Sequence, residues 1–213
     1  MNDAGPAPAT MVDAVFALEG RSLPRDHRLA LAEALDGVAP WLRELPSAGL
    51  HPVNLVAGGG DPALLSHRAR LILRVPRDRV AALQALPGRT LDVGGHRVTL
   101  GALHVRELLP HNTLFAHFVA ADGAAGGGAD EAAFLDAVDA ELGALGAACR
   151  RVSGRRQHIR SGGDEPLVGF SLMLHGLAAA DSLRVLEAGV GHHRRLGCGL
   201  FVPHRSAAAV GAG

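Results

Sequence analysis

Hydrophobic residues in the first half of the chain follow two different periods. Between residues 67 and 75 an aliphatic residue stands at every second position, which predicts a strand with one buried face. The arginines of its other face, Arg68, Arg70 and Arg74, are expected to meet solvent. Further strands are predicted at residues 11–18 and 49–56, with a hairpin at 90–100 that turns at Gly94-Gly95 and continues in extended form to about 108.

Helical spacing occurs twice in the same half. Leu31, Leu35 and Val38 follow Asp26, which can cap a helix running to about residue 38. His27 is then expected at the first helical position. A shorter helix is predicted over residues 77–86. The order of elements in this half is therefore strand, helix, strand, strand, helix and strand.

The second half repeats this order. Its strands are predicted at residues 113–121, 149–160, 166–175 and 198–203, its helices after the capping residue Asp130 and around Leu183 and Leu186, and a glycine-rich loop at 123–128. Two successive βαββαβ units predict an α+β fold of two tandem ferredoxin-like (RRM-like) domains. We expect the domains to span residues 11–109 and 113–204.

The composition narrows the chemistry and the cellular setting. The chain has 213 residues and no net charge by formal count, but all 21 basic residues are arginine and tyrosine is absent. The absence of lysine excludes Schiff-base catalysis and a Walker-type phosphate lysine. Cys149 and Cys198 have no zinc-ribbon spacing, so we expect reduced thiols and no metal site. Since no apolar run approaches the ~20 residues that span a bilayer, we expect a cytoplasmic protein without a membrane partner.

Two segments of the second half, residues 142–163 and 188–213, contain basic residues and no carboxylate. Arginine binds phosphate in a bidentate manner, so both segments predict contacts to an RNA backbone. Aromatic residues are only 3% of the chain, which favours a structured stem over stacked single-stranded bases. The candidate RNA-binding side chains are Arg150, Arg151, Arg155, Arg156, His158 and Arg160 in the first segment, and His192, His193, Arg194 and Arg195 in the second.

Four glycines interrupt the second basic segment: Gly189, Gly191, Gly197 and Gly199. They lie between a predicted helix and a predicted strand, which is the reverse of the order in a P-loop or a dinucleotide-binding loop. We expect the amides of these glycines to approach phosphates while the neighbouring arginines neutralise charge.

In these features the chain resembles the CRISPR-associated endoribonucleases that cut repeat RNA into guide units. The resemblance rests on the tandem ferredoxin-like order, on G-V-G-H-H-R-R-L-G-C-G-L-F-V-P at residues 189–203, and on G-R-S-L-P-R-D-H at residues 20–27. It implies metal-independent cleavage of a CRISPR repeat stem-loop without a cofactor, retention of the guide RNA, and other Cas subunits of a surveillance complex as partners. It also implies a catalytic role for His27, although the tyrosine or lysine that assists this histidine in some members is absent.

In the reaction that the resemblance implies, the 2′-hydroxyl attacks the adjacent phosphorus and leaves a 2′,3′-cyclic phosphate and a 5′-hydroxyl. Neutral imidazole suits the base near pH 7, and the dipole of the first helix would disfavour protonation of His27. His51 is the next candidate, either for the general acid that protonates the leaving 5′-oxygen or for a residue that positions the reacting groups. Arg25 and Arg28 are candidates for stabilising the charge of the phosphorane.

Three other functions fit parts of the sequence. A catalytically inactive repeat-RNA-binding subunit of the same family would explain the missing tyrosine and lysine. A two-histidine phosphoesterase would use two H-x-T/S motifs, whose letters His111-Asn112-Thr113 and His204-Arg205-Ser206 match. A ferredoxin-like sensor of a small ligand would show no salt-dependent binding of RNA.

Overall fold

Two antiparallel β-sheets, one from each half of the chain, form the framework of the protein. The computed structural model describes residues 9–58, 60–121, 130–163 and 165–204, so the loop predicted at 123–128 lies outside the described residues. The first half contains β1 (Met11–Gly20), β2 (Ser22–Leu23), α1 (Arg28–Val38), β3 (Gly49–His51), β4 (Ala63–Leu64), β5 (Arg70–Pro76), α2 (Val80–Leu83), β6 (Thr90–Val93) and β7 (His96–Glu107). The second half contains β8 (Thr113–Ala120), α3 (Glu131–Ala144), β9 (Arg150–Ile159), β10 (Leu167–His175), α4 (Ala179–Ala188) and β11 (Phe201–Pro203).

The order of strands is ferredoxin-like in both sheets. The first sheet has the order β3-β5-β1-β7-β6 and the second β11-β8-β10-β9. In each sheet the first and third strands of the βαββαβ unit lie at the centre, between the second and the fourth. Strand β6 is an addition to the first sheet and pairs with β7 through the predicted Gly94-Gly95 hairpin. The predicted α+β, tandem ferredoxin-like fold is confirmed.

Several elements are shorter than the sequence pattern predicted. The strand expected at 49–56 ends at His51, and Pro52 has no N–H to extend the ladder. The last strand begins at Phe201 rather than at 198, because Gly197 and Gly199 have φ angles of 75° and 65°, far from extended values. In place of a helix over 77–86 there is a 3-10 turn at Arg77–Arg79 followed by the single turn of α2.

The two predicted helix caps have different outcomes. Asp130 caps α3, since its side chain accepts a hydrogen bond from the Ala132 amide at 3.2 Å. The prediction for Asp26 is wrong: α1 begins at Arg28, and His27 is its N-cap residue without a capping hydrogen bond from its side chain. The carboxylate of Asp26 instead lies 3.8 Å from the guanidinium of Arg160.

The prediction that Arg74 faces solvent is also wrong, although Arg68 and Arg70 are exposed as expected. The Arg74 side chain is only 1% exposed. The reason is that the second half of the chain covers this face of the first sheet. Arg74 Nη1 donates to the carbonyls of Leu186 in α4 and Phe201 in β11, both at 2.9 Å.

The apolar cores of the two halves also meet. The cluster formed mainly by the first half includes Phe118, Leu196 and Cys198 from the second half. A second cluster lies between the second sheet, α3 and α4, with Phe134 and Phe170 in ring contact at 4.8 Å. Within the described ranges, no helix is both long and apolar enough to span a membrane.

Candidate active site

A cleft of about 600 Å³ lies between the two halves. Strands of the first sheet line one wall, and β8, β9 and β11 of the second sheet contribute to the other. The lining contains three arginines and three histidines against two carboxylates. The basic residues are Arg28, His51, Arg74, Arg106, His111 and His117, and the acidic residues are Asp13 and Glu107. Among the described residues of this lining, the charge of Arg28 is paired with no carboxylate, and together with the exposed His111 and His117 it makes the cleft suited to a phosphodiester.

His27 lies immediately behind one wall of this cleft, which Arg28, Pro52 and Asn54 help to form. Its ring is buried, with 3% exposure. Nδ1 lies 3.2 Å from the carbonyls of Pro24 and Arg25, and Nε2 accepts a hydrogen bond from the Val53 amide at 2.9 Å. Since carbonyls only accept and an amide N–H only donates, these partners define a neutral ring with its proton on Nδ1.

The same surroundings set the protonation of His27. Burial of the ring lowers the pKa of His27 below its usual value, and the positive charge of Arg28 acts in the same direction. The neutral state agrees with the expectation for a base. The lone pair that a base needs, however, is occupied by the Val53 N–H. In this arrangement the hydrogen bond from Val53 to His27 links the β3–β4 connection with the start of α1.

His51, at the end of β3, belongs to a buried ionic cluster. Its Nε2 lies 3.8 Å from Asp13 Oδ1 and has no hydrogen-bond partner among the described residues. Burial lowers the pKa of His51 to about 3, and the neighbouring Arg74 contributes to the shift. His51 is therefore neutral near pH 7 and does not serve there as a cationic acid.

The two candidate arginines near His27 have different environments. Arg25 is exposed, and its guanidinium donates to the carbonyls of Gly58 and Gly60. Arg28 reaches across to the second half, where Nη1 donates to the Leu196 carbonyl at 2.9 Å and the Gly197 carbonyl at 3.3 Å. Because carbonyls do not neutralise a guanidinium, both arginines keep a full positive charge.

The glycine amides of residues 189–199, which were expected to approach phosphates, are not free in this structure. All four amides have partners within the protein, including the Gly191 amide, which donates to Glu141 at 2.7 Å. The glycines instead allow close packing. A Cβ on Gly199 would lie 1.8 Å from the Val190 carbonyl oxygen, and one on Gly197 would lie 2.9 Å from the Leu50 carbonyl oxygen. The segment thus closes the second half against the first.

The arginines of this segment are also partly engaged. Arg195 forms an ion pair with Asp36 of α1, a carboxylate that it shares with Arg43. Arg194 is partly buried, and this burial lowers the pKa of its guanidinium. The side chains of His192 and His193 are exposed. Together with the tip of the β9–β10 hairpin, residues 191–196 line a second groove of about 960 Å³ beside α1. The structure therefore brings the ends of the two predicted basic segments together.

Strand β9 carries the other predicted RNA-binding residues at the edge of the second sheet. Arg150, Arg155, Arg156 and His158 are exposed. Arg151 is paired with Asp139, and Arg160 lies near Asp26. Among the described residues, no carboxylate forms an ion pair with Arg150, Arg155 or Arg156. These three side chains are the most available to a phosphate.

The sequence analysis missed three residues of the cleft: Asp13, Arg106 and His117. Arg106 donates to Asp13 at 2.9 Å from the neighbouring strand. His117 is exposed on the central strand β8. The alternation of buried Leu114, Ala116 and Phe118 with Phe115 and His117 could have placed His117 on the less buried face of that strand. Nothing in the sequence indicated that this face lines a cleft.

Comparison with known structures assigns the fold to a class. A solved CRISPR-associated Cas6 protein matches with a TM-score of 0.69 and 10% sequence identity, over 92% of this chain and 100% of the other. Thermus thermophilus Cse3, solved with an RNA representing a pre-cleavage complex, matches with a TM-score of 0.50 and 18% identity, over 91% and 98% of the two chains. At these identities the likeness concerns the fold, which this chain shares with solved CRISPR-associated proteins.

Sequence comparison gives the family. The family model described as Cas6 matches residues 12–206. A CRISPR-associated endonuclease Cas6 from Myxococcus xanthus (strain DK1622) is 39% identical over 199 residues, which are 93% of this chain and 84% of the relative. The chain therefore belongs to the Cas6 family, and the resemblance seen in the sequence is confirmed. The predicted enzyme class, an endonuclease, agrees with the name of this relative.

Proposed function

We propose that this protein cleaves CRISPR precursor RNA within the repeat, without a metal ion or other cofactor. The 2′-hydroxyl attacks the adjacent phosphorus, and the products carry a 2′,3′-cyclic phosphate and a 5′-hydroxyl. Membership of the Cas6 family is the observation that carries this proposal. The cleft lined by arginine and histidine supports it, since these are the residues that can run acid–base catalysis in a chain without lysine or tyrosine.

In this proposal His27 retains the role that its position in the family pattern suggests. To act as a base or acid it exchanges the Val53 N–H for the substrate when RNA binds, which leaves a buried amide to be satisfied by the RNA or by water. Leaving such an amide without a partner costs about 1–3 kcal/mol, a cost that RNA binding can offset. His51 is neutral and acts by positioning, and Arg25 contributes positive charge at the phosphate.

The exposed arginines of β9 and the groove beside α1 bind the repeat stem in this proposal. Contacts to the stem outlast the cut, because the bond that breaks does not include them, so the protein retains the guide RNA. The residues proposed for this surface are Arg150, Arg151, Arg155, Arg156, His158, Arg160, His192, His193, Arg194 and Arg195. The retained complex is the form that other Cas subunits would join.

A second candidate function is a repeat-RNA-binding subunit that does not cleave. The observation in its favour is the His27 ring, whose two nitrogens are both occupied by backbone groups. The two-histidine phosphoesterase has less support. His111 and His204 both belong to the second half, beside β8 and β11, whereas that function needs one motif from each lobe. Thr113 is also buried, with 4% exposure, so its hydroxyl does not face a ligand.

The test is cleavage of an end-labelled RNA that carries the repeat of the source organism's own CRISPR array, in EDTA. Cleavage by the wild type, and none of an RNA with a single 2′-deoxy nucleotide at the cut position, is the expected result. Tight binding of the repeat without cleavage would support the non-cleaving subunit instead. His27→Ala is compared with His67→Ala, an exposed histidine of the same half. Equal cleavage by both variants would remove His27 from the mechanism.

A further inference from the structure

The exposed histidine of strand β8 has no role in the function proposed so far. His117 lies in the cleft between the two halves, on a strand hydrogen-bonded on both sides. Its ring stands edge-on to Phe115, with centroids 5.0 Å apart and planes at 83°. Its carbonyl accepts a hydrogen bond from Gln157 Nε2 at 2.9 Å. His117 is thus an accessible side chain on a rigid element.

The nitrogens of His117 are available, unlike those of His27. No hydrogen bond to either ring nitrogen of His117 is made by any described residue, whereas both nitrogens of His27 are bound to backbone groups. His51, the other histidine of the sequence-based prediction, is only 7% exposed. Of these three histidines, His117 alone is exposed to solvent in the cleft.

The charges around His117 suit a base acting on a phosphodiester. Partial burial lowers the pKa of His117, and the charges of Arg28 and His204 act in the same direction, so the ring is neutral at pH 7. Arg28 lines the same cleft, with its guanidinium 5.9 Å from the centre of the Phe118 ring, beside His117 in the chain. A cation next to a neutral imidazole can hold the phosphate while the imidazole removes a proton.

We propose that His117 is the second acid–base group of the RNA cleavage reaction, acting from the second half of the chain as the base for the 2′-hydroxyl. The inference rests on the proposed function. The proton of the 2′-hydroxyl passes to a ring nitrogen of His117, the bond between the 2′-oxygen and phosphorus forms, and the bond between phosphorus and the 5′-oxygen breaks. The leaving oxygen takes a proton from His27, which takes this proton up from solvent after giving up the Val53 N–H, and His117 later returns its own proton to solvent.

This role fills the place left by the missing tyrosine and lysine. It also explains why the cleft lies between the two halves. Arg28 of the first half would hold the phosphate, and His117 of the second half would remove the proton of the attacking 2′-hydroxyl. The reaction would then require the two halves to stay packed together.

The test is single-turnover cleavage of the same repeat RNA in EDTA at saturating protein, with binding measured separately on the 2′-deoxy RNA. His117→Ala is expected to lower the cleavage rate by about 100-fold or more while the Kd changes less than about 2-fold, and added imidazole should restore part of the rate. The matched control is His104→Ala, an exposed histidine on β7 that does not line the cleft. Its rate should equal that of the wild type. His117→Gln provides a second variant if the alanine variant unfolds.

The outcomes separate the two proposals. If the wild type cleaves and His117→Ala cleaves within about 3-fold of it, only the role of His117 is overturned. The same conclusion follows if the variant loses affinity but keeps its rate at saturation, since His117 would then be a binding residue. If the wild type binds the repeat but does not cleave it, the proposed function fails and the role of His117 fails with it.

Discussion

Arg74 and Asp13 form a buried two-point ion pair where the two halves of the chain meet. Arg74 Nε lies 2.8 Å from Asp13 Oδ1, and Nη2 lies 3.2 Å from Oδ2. The residues stand opposite each other on β5 and β1 of the first sheet, and the remaining terminal nitrogen of Arg74 binds two carbonyls of the second half. One arginine therefore neutralises a buried carboxylate and ties the halves together.

Removing the Arg74 guanidinium should destabilise the protein severely. In Arg74→Met, the Asp13 carboxylate keeps the exposed Arg106 as a charged partner and the neutral His51 as a neighbour, and two carbonyls lose their donor. Breaking a buried pair from one side costs about 3–5 kcal/mol, and Arg106 places the expected loss at the lower end. Unfolding in guanidinium chloride measures this loss of stability, with Arg70→Ala on the same strand as the control. A loss equal to that of the control would show that the pair does not hold the halves together.

Arg74 also shows where prediction from sequence ended. The alternation in residues 67–75 correctly predicted a strand and its apolar face, because that period depends only on local geometry. It could not show that a second layer covers the opposite face, since α4 and β11 lie more than 100 residues away along the chain. Arg68 and Arg70 follow the same pattern on the same face and do reach solvent.

Acid should destabilise the fold through His51. In the unfolded chain this histidine takes up a proton below about pH 6.5, but in the fold its pKa is about 3, so the unfolded state binds more protons between these values. Stability should therefore fall as the pH drops from 7, by about 2 kcal/mol at pH 5. The lowered pKa of His27 acts in the same direction.

Unfolding curves at pH 7 and pH 5 test this. The difference in stability between pH 7 and pH 5 should be much smaller in His51→Gln than in the wild type. It should be unchanged in His67→Gln, a substitution at an exposed position. The ion pair of Asp13 with Arg74 does not affect this comparison, because the lowered pKa of Asp13 changes stability only below about pH 4. An unchanged difference in His51→Gln would mean that His51 is protonated in the fold.

His27→Ala should lower stability whatever its effect on cleavage. The substitution leaves the buried Val53 amide without its acceptor, at a cost of about 1–3 kcal/mol. Hydrogen exchange at single residues can detect this directly. The Val53 amide should lose protection, while the Leu31 amide, which donates to the His27 carbonyl at 2.8 Å, should keep it. Protection of Val53 that survives the substitution would contradict the hydrogen bond to Nε2.

The candidate site was thus only partly accessible from the sequence. The resemblance placed His27 next to the cleft, but hydrogen bonds such as that from Val53, 26 residues away, depend on the tertiary fold. The glycine-rich segment was recognised as distinctive, while the reason for its glycines, close contact with Val190 and Leu50, could be seen only in three dimensions. His117 was overlooked because a single histidine in an apolar strand carries no distinguishing pattern.

The glycine-rich segment predicts a sharp contrast between two glycine substitutions. Gly199→Ala places a Cβ 1.8 Å from the Val190 carbonyl oxygen at a φ of 65°, so we expect a loss of about 3 kcal/mol or more. Gly143→Ala, in α3 with no atom within 4 Å of the added Cβ, should stabilise the protein by about 0.5–1 kcal/mol. Thermal unfolding of both variants measures the difference. Equal melting temperatures would show that the glycine-rich segment accommodates the added Cβ without loss of stability.

The exposed arginines of β9 provide the test of RNA binding. Each phosphate contact that is removed should lower the slope of log K against log salt concentration by about one. Arg155→Ala and Arg156→Ala should therefore each weaken binding of the repeat and reduce this slope. Arg184→Ala is the control in the same half, because this exposed arginine is paired with Asp181 on α4 and lies outside the proposed surface. If all three variants change the slope equally, the effect is not specific to the arginines of β9. If none changes it, the RNA does not bind along β9, and the groove beside α1 becomes the surface to vary next.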